Sequence, residues 1–207
     1  MNYDFSGKVA LVTGASGGIG RATALGFAAS GAAVVVSDVN DAGGEETVAL
    51  IAAAGGKAVY QRCNVADEAE VKALVARAVS EYGRLDFAHN NAGINNLGAN
   101  EYEDEVWDRS VAINLSGVMY CMRAVLPAMR AQKDGVIINV ASWAGRHVSK
   151  MTGPAYTTTK HAVLALTHSF NMDEFKNGLR ATCLSPGEVA TPILKLRPVP
   201  PSAEDMA

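Results

Sequence analysis

Six short apolar runs recur along the chain, separated by amphipathic or alanine-rich stretches. The runs fall at residues 8–12, 33–37, 57–61, 85–89, 135–140 and 179–184. Most are near-continuously apolar over strand length, as expected of strands buried on both faces of a sheet. Between them the pattern predicts helices over 18–30, 41–54, from Asp67 to Gly83, over 103–131 and over 155–176. In the third helix Val71, Leu74, Val75 and Val79 form an apolar stripe at helical spacing. Asp67, followed three residues later by Glu70, marks its start, and Gly83 marks its end. Asp41 can cap the second helix or favour its first turn, and Gly55-Gly56 stops it. Pro127 is expected to bend or break the fourth.

Strand and helix alternating in this way specify an α/β fold, a doubly wound parallel sheet with helices on both faces. Residues 1–207 are long enough for one sizeable core and are expected to form a single dinucleotide-binding, Rossmann-like domain. Such a sheet binds ligands at the carboxyl ends of its strands. The residues expected along that edge are Asp38, Asn64, Asn91, Ser142 and Pro186-Gly187.

The first strand runs into Thr13-Gly14-Ala15-Ser16-Gly17-Gly18-Ile19-Gly20 and then into a helix. Strand, glycine-rich turn and helix together present free backbone N–H groups to a phosphate. Asp38 follows the second strand, 24 residues after Gly14. Its carboxylate can accept hydrogen bonds from both hydroxyls of an adenosine ribose and repels a 2′-phosphate.

Tyr156 and Lys160 lie four residues apart on one face of the last helix. A tyrosine with a free pKa near 10 is a poor base at neutral pH, and a neighbouring ammonium favours its phenolate. Ser142, at the preceding strand end, can donate to a substrate oxygen. A tyrosine that gives and takes a proton beside a nicotinamide ring is what carbonyl/alcohol redox chemistry requires.

Composition narrows the partners. The net charge is −3 with no basic block, which argues against nucleic acid as a ligand. No run of eighteen apolar residues is present and the N-terminal residues lack a secretory pattern, so a cytoplasmic protein without a membrane partner is expected. Cys63, Cys121 and Cys183 are scattered, which predicts neither a disulfide framework nor a metal site.

Taken together, the glycine loop, Asn91-Ala92-Gly93, Asn114, Ser142, Tyr156, Lys160 and Pro186-Gly187-Glu188-Val189-Ala190-Thr191 resemble the short-chain dehydrogenase/reductase superfamily in its compact main branch. The resemblance spans almost the whole chain and implies an NAD-dependent oxidoreductase interconverting a secondary alcohol and a ketone. It implies that Tyr156 is the general acid and base and that Ser142 orients and polarises the substrate oxygen. Lys160 would hydrogen-bond the nicotinamide ribose and lower the pKa of Tyr156, and Asn114 would complete a proton relay. Gly14, Ser16, Gly18, Ile19 and Gly20 would hold the diphosphate side of NAD, and Asp38, Asn64, Val65, Asn91, Ala92 and Gly93 the adenosine side. Tyr156, Lys160, Pro186, Gly187, Val189 and Thr191 would bind the nicotinamide half. Ser16 and Val39 stand where NADP-preferring relatives carry a basic residue, so NAD is the expected cofactor.

Several positions depart from the family pattern. The spacing between Ser142 and Tyr156 is one residue longer than is usual, Ala141 replaces a common second serine, and Asn64 replaces a common aspartate. Relatives usually continue beyond this length with a further helix and strand, so the chain is expected to lack that C-terminal portion. By resemblance, Asn95, Asn96, Trp143, His147, Met151, Glu188 and residues 193–200 are expected to meet a small-molecule substrate whose identity stays open. The helices over 103–131 and 155–176 would form a four-helix interface in a homodimer or homotetramer. The alternative readings are a non-catalytic dinucleotide-binding or regulatory protein of the same fold, an NADP-preferring carbonyl or 3-oxoacyl reductase, and an epimerase or dehydratase of the extended branch.

Overall fold

The computed structural model describes residues 3–96, 102–148 and 151–191. All six expected strands form: β1 (Val9–Thr13), β2 (Ala33–Asp38), β3 (Lys57–Arg62), β4 (Phe87–Asn90), β5 (Gly135–Val140) and β6 (Leu179–Leu184). They pair in the order β3-β2-β1-β4-β5-β6, every pairing parallel. The chain steps outward from β1 to β3 and then returns to place β4 on the other side of β1. The direction of winding therefore reverses between β1 and β4, and a crevice opens beyond their carboxyl ends.

The helices are α1 (Gly18–Ala29), α2 (Asp41–Ala53), α3 (Glu68–Tyr82), α4 (Asp104–Val111), α5 (Gly117–Gln132) and α6 (Pro154–Glu174). One face of the sheet packs Val9, Leu11, Ala88 and Ile137 against Leu74, Val125 and Val163 of α3, α5 and α6. On the other, Val12, Val34 and Val36 meet Ala24 of α1 and Ile51 of α2. Alternate residues serve opposite layers, which is why residues 9–12 of β1 are all apolar and the strand is fully buried.

Local chemistry sets the element ends. Asn40, rather than Asp41, caps α2, its side chain accepting from the Gly43 N–H at 3.2 Å. Asp67 caps α3 by accepting from the N–H groups of Ala69 and Glu70, and Gly83 closes it at φ +75°. β4 starts at Phe87 and not at residue 85. The Gln132 side chain takes both backbone groups of Leu85, donating to its carbonyl and accepting from its N–H, so these are lost to the ladder.

The stretch expected as one helix over 103–131 is interrupted, though not where proline predicted. α5 runs through Pro127, while the break is a π-helical turn over Ala112–Ser116. Val125 and Met129, fully buried on either side of Pro127, hold the helix against the sheet. The π turn carries Asn114, whose buried amide bonds outward to Ile94. By length and composition Asp104–Gln132 would suffice to cross a membrane, but Cys121, Met122, Val125 and Met129 pack into the core. Cys63, Cys121 and Cys183 are all free thiols.

His89 sits in β4 beside Val12 and Ile138, almost completely buried, and its Nδ1 has no partner among the described residues. Burial pushes its pKa down from the ordinary 6.5 to about 4. The unfolded chain takes up this proton as pH falls through 6.5, whereas the folded chain resists until about 4. His89 therefore contributes stability that is intact above pH 6.5 and is lost as pH falls toward 4. The difference corresponds to about 3 kcal/mol. Urea titrations at neutral and acid pH are expected to show a shallower acid loss in His89→Leu than in the native chain. An unchanged pH slope would contradict this.

Candidate active site

The crevice is built from the strand ends inward. Gly14 leaves β1 at φ +65°, and a Cβ there would lie 2.8 Å from Ala92 Cα and 2.9 Å from Asn91 Nδ2. A Cβ on Gly20 would lie 2.1 Å from the Gly14 carbonyl oxygen, so α1 can approach the loop only with glycine at this position. Asn91 fastens the far side by donating from Nδ2 to the carbonyls of Thr13 and Gly14. The buried Thr13 hydroxyl accepts from the N–H groups of both Asn91 and Ala92. Gly17 begins α1 without a side-chain cap. The N–H groups of the first turn therefore remain free for an anion.

Asp38 lies at the end of β2. Its Oδ2 accepts from Ser16 N–H at 3.0 Å and its Oδ1 from Asn40 N–H at 3.1 Å. These bonds fix the carboxylate beside the loop and leave lone pairs for further donors. Neighbouring cations are held by other acids. Arg21 pairs with Glu46 at 2.6 Å and also bonds Ser16 O, Gly43 O and Thr47. Arg62 lies 3.5 Å from Glu70 and 4.0 Å from Asp41.

At the other end of the crevice, Ser142 follows β5 and hydrogen-bonds Tyr156 from the first turn of α6. Its hydroxyl also accepts from Ala144 N–H at 3.1 Å. Lys160 is buried, donates from Nζ to Val140 O at 2.9 Å, and lies 5.6 Å from the centre of the Tyr156 ring. Thr159 donates to Tyr156 O and accepts from Asn114 Nδ2. Asn114 Oδ1 accepts from Ile94 N–H at 2.8 Å, and its Nδ2 donates to Ile94 O at 2.9 Å. A Cβ on Gly93 would meet Asn114 Oδ1 at 3.2 Å and Lys160 Nζ at 3.3 Å, so both groups converge on that glycine.

Burial sets the titration of this pair. Desolvation raises the Tyr156 pKa above its ordinary 10, opposed by the Ser142 hydrogen bond. Desolvation also lowers Lys160 to about 8.

A cavity of about 180 Å³ joins Asn95, Ser142, Thr152, Tyr156 and Lys160 to Pro186, Gly187 and Val189. A neighbouring cavity of about 240 Å³ lies over Gly14, Ser16, Gly17 and Gly18. The two share Ile19, Asn91, Gly93 and Thr191, forming one cleft from the glycine loop to Tyr156. An extended dinucleotide fits this shape, with uncapped N–H groups in the middle and a carboxylate beside one end.

Most of the residues expected at the site meet there, and some do not. Asn64 uses its Oδ1 to accept from Ala66 N–H, closing a local turn. Val65 buries its side chain against Gly117, so that side chain is unavailable to a ligand. Trp143 and His147 stack face to face at 4.4 Å and, like Met151, are exposed. None of the three lines the cavity, and neither does Glu188. Asn96 is tied to Ser110 at 2.6 Å, and residues 193–200 lie outside the described residues. Thr13, Ile94, Thr152 and Thr159 were not expected from sequence. Thr13, a hydroxyl at the end of a wholly buried strand, carried a signal; the others depend on which loops meet.

A family model described as short chain dehydrogenase matches residues 8–198. A cyclohexanol dehydrogenase of Acinetobacter sp. (strain SE19) is 40% identical over 94% of this chain and 78% of its own length. A D-beta-hydroxybutyrate dehydrogenase of Cupriavidus necator is 35% identical over 92% of this chain and 74% of its own. Among solved structures, a levodione reductase superposes with a TM-score of 0.88 at 33% identity, covering 92% of this chain and 76% of that one. A metagenomic short-chain oxidoreductase in complex with NADP superposes at 0.83 with 35% identity, covering 89% and 84%.

Proposed function

The chain belongs to the short-chain dehydrogenase family, and on that premise we propose that it interconverts a neutral secondary alcohol and its ketone with NAD, using Tyr156 as the general acid and base. The observation that carries this reading is the continuous cleft joining the uncapped start of α1 to Tyr156, Ser142 and Lys160. When bound, the nicotinamide dinucleotide supplies a hydride acceptor for oxidation and a hydride donor for reduction.

The residues of the chain divide the remaining work. The free N–H groups at the start of α1 hold the diphosphate. Asp38 receives the adenosine ribose hydroxyls and disfavours a 2′-phosphate, supported by the commitment of Arg21 and Arg62 to Glu46, Asp41 and Glu70. By resemblance, Val189 and Thr191 would receive the nicotinamide carboxamide. In oxidation, Tyr156 as phenolate takes the hydroxyl proton, Ser142 holds the substrate oxygen, and the Lys160 ammonium stabilises the phenolate charge. In reduction, Tyr156 returns the proton to the carbonyl oxygen. Asn114 fixes Ile94 and thereby the Gly93 backbone beside Lys160.

The names of the cyclohexanol and levodione relatives make alicyclic alcohols and ketones the first substrates to test. A panel of neutral secondary alcohols assayed with NAD and with NADP is expected to give turnover on at least one member, with NAD preferred. NAD-bound protein inert across the panel in both directions would favour a non-catalytic binding role instead. Association into a homodimer or homotetramer through α4, α5 and α6 is supported by exposed Trp107, Met119 and Met172. Light scattering that finds only monomer would exclude it.

A further inference from the structure

Asp38 is aimed by a relay of bonds that ends on one arginine. Its Oδ2 accepts from Ser16 N–H and its Oδ1 from Asn40 N–H. The Ser16 N–H is itself held in direction, because the carbonyl of the same peptide, Ala15 O, accepts from Thr47 Oγ1 at 2.8 Å. A planar trans peptide points its carbonyl and its N–H in opposite directions, so gripping one aims the other. The next carbonyl, Ser16 O, accepts from Arg21 Nη2 at 2.5 Å. Arg21 Nε donates to Thr47 Oγ1 at 3.0 Å, so the same guanidinium supports the hydroxyl that grips Ala15 O.

Arg21 thereby joins the glycine loop to two helices. It is carried by the first turns of α1, and its Nη2 also reaches Gly43 O at 3.2 Å and Glu46 Oε2 at 2.6 Å on α2. The start of α2 sits directly on the loop, since a Cβ on Gly43 would lie 2.8 Å from Ser16 Cβ and 3.0 Å from Ser16 O. Asn40, whose N–H holds Asp38 Oδ1, is bound to this same turn by accepting from Gly43 N–H. Thr47 is completely buried, and the Arg21 side chain is 23% exposed. Both N–H groups that orient Asp38 therefore belong to segments that Arg21 ties together. A planar guanidinium sends its hydrogen bonds in fixed directions, which a lysine ammonium cannot reproduce.

We propose that Arg21 is a positioning residue for the cofactor. By fixing the Ala15-Ser16 peptide against α2 it aims the Asp38 carboxylate, and so sets how strongly the adenosine ribose hydroxyls of the dinucleotide are recognised. The proposal rests on the reading that Asp38 receives those hydroxyls. Arg21 acts through the main chain of the loop and not by touching the ribose. Hydrogen bonds weaken steeply with misalignment, so a carboxylate free to turn recognises a hydroxyl less well.

The test measures what the 2′-hydroxyl is worth to the site, with ADP and 2′-deoxy-ADP titrated by calorimetry into the full chain. ADP is expected to bind the native protein about tenfold more tightly, as for one hydrogen bond to a charged acceptor. Asp38→Ala is expected to bring that ratio close to one. Arg21→Met is expected to do the same, by lowering ADP affinity toward that of 2′-deoxy-ADP. Arg21→Lys, used should the methionine variant not fold, is expected to move the ratio in the same direction. Glu46→Gln, which removes only the exposed ion pair, is expected to keep the native ratio. A native ratio of one, no measurable binding of either nucleotide, or a ratio that survives Asp38→Ala overturns the ribose reading of Asp38 and this proposal with it. A ratio that falls in Asp38→Ala yet survives in the Arg21 variant overturns the proposal alone. So does a parallel loss of affinity for both nucleotides in the Arg21 variant, which would mark a merely structural role. Loss of the ratio in Glu46→Gln would assign the effect to the ion pair and not to the grip on the loop, and would also overturn it.

Discussion

Tyr156→Phe is expected to lower NAD-linked alcohol oxidation by about a thousandfold while leaving NADH affinity nearly unchanged. The substitution removes one oxygen from a ring that is otherwise enclosed in the site. Its partner Ser142 keeps its bond from Ala144 N–H, so the serine stays in place. What is lost is the group that takes the hydroxyl proton, and general acid–base groups of this kind contribute about 10² to 10⁴ in rate. Because most of the proposed dinucleotide contacts lie along the glycine loop and at Asp38, the loss is expected in kcat and not in cofactor binding. Steady-state kinetics at saturating NAD, with a fluorescence titration of NADH on the same preparation, separates the two. Turnover within about tenfold of native would remove Tyr156 from the role assigned to it.

The second large effect is on cofactor choice. Asp38→Asn retains a side-chain carbonyl for the Ser16 or Asn40 N–H but removes the negative charge. A carboxylate facing a 2′-phosphate at about 4 Å is disfavoured by about 4 kcal/mol at a surface-like dielectric of about 20. The preference for NAD over NADP, expressed as the ratio of kcat/KM values, is therefore expected to fall by about a hundredfold or more in Asp38→Asn. The change should come mainly from improved use of NADP. An unchanged ratio would show that the discrimination lies elsewhere in the chain.

The parts of this site that were legible in the sequence are those that local physics determines. The apolar runs over 8–12 and 33–37 read as strands buried on both faces, as β1 and β2 are, whereas β3 and β6 at the sheet edges are only partly buried, and the sheet places Gly14 and Asn91 on either side of one crevice. The glycine pattern was legible because Gly20 has no room for a Cβ and Gly14 takes a positive φ. Tyr156 and Lys160 were legible because helical spacing aligns them.

What was hidden depends on distant segments meeting. A helical period gives no sign of the π turn that carries Asn114, nor of the pair of hydrogen bonds its side chain makes to Ile94, twenty residues earlier. Pro127 looked like a break, but Val125 and Met129 anchor the helix on both sides of it. The β4 boundary moved because the Gln132 side chain, from another helix, captures Leu85. By resemblance Trp143 and His147 were expected to meet the substrate, whereas the fold stacks them on each other and neither lines the cavity.

Hydride transfer at this site is tested most directly with cyclohexanol carrying deuterium at the carbinol carbon, oxidised by the native enzyme in the presence of unlabelled NAD. Mass spectrometry of the recovered nicotinamide cofactor is expected to find one deuterium on the reduced ring and a matching amount of cyclohexanone. Ketone formed without label in the cofactor, or cofactor bound with no ketone formed from this or any other neutral secondary alcohol, would contradict the account.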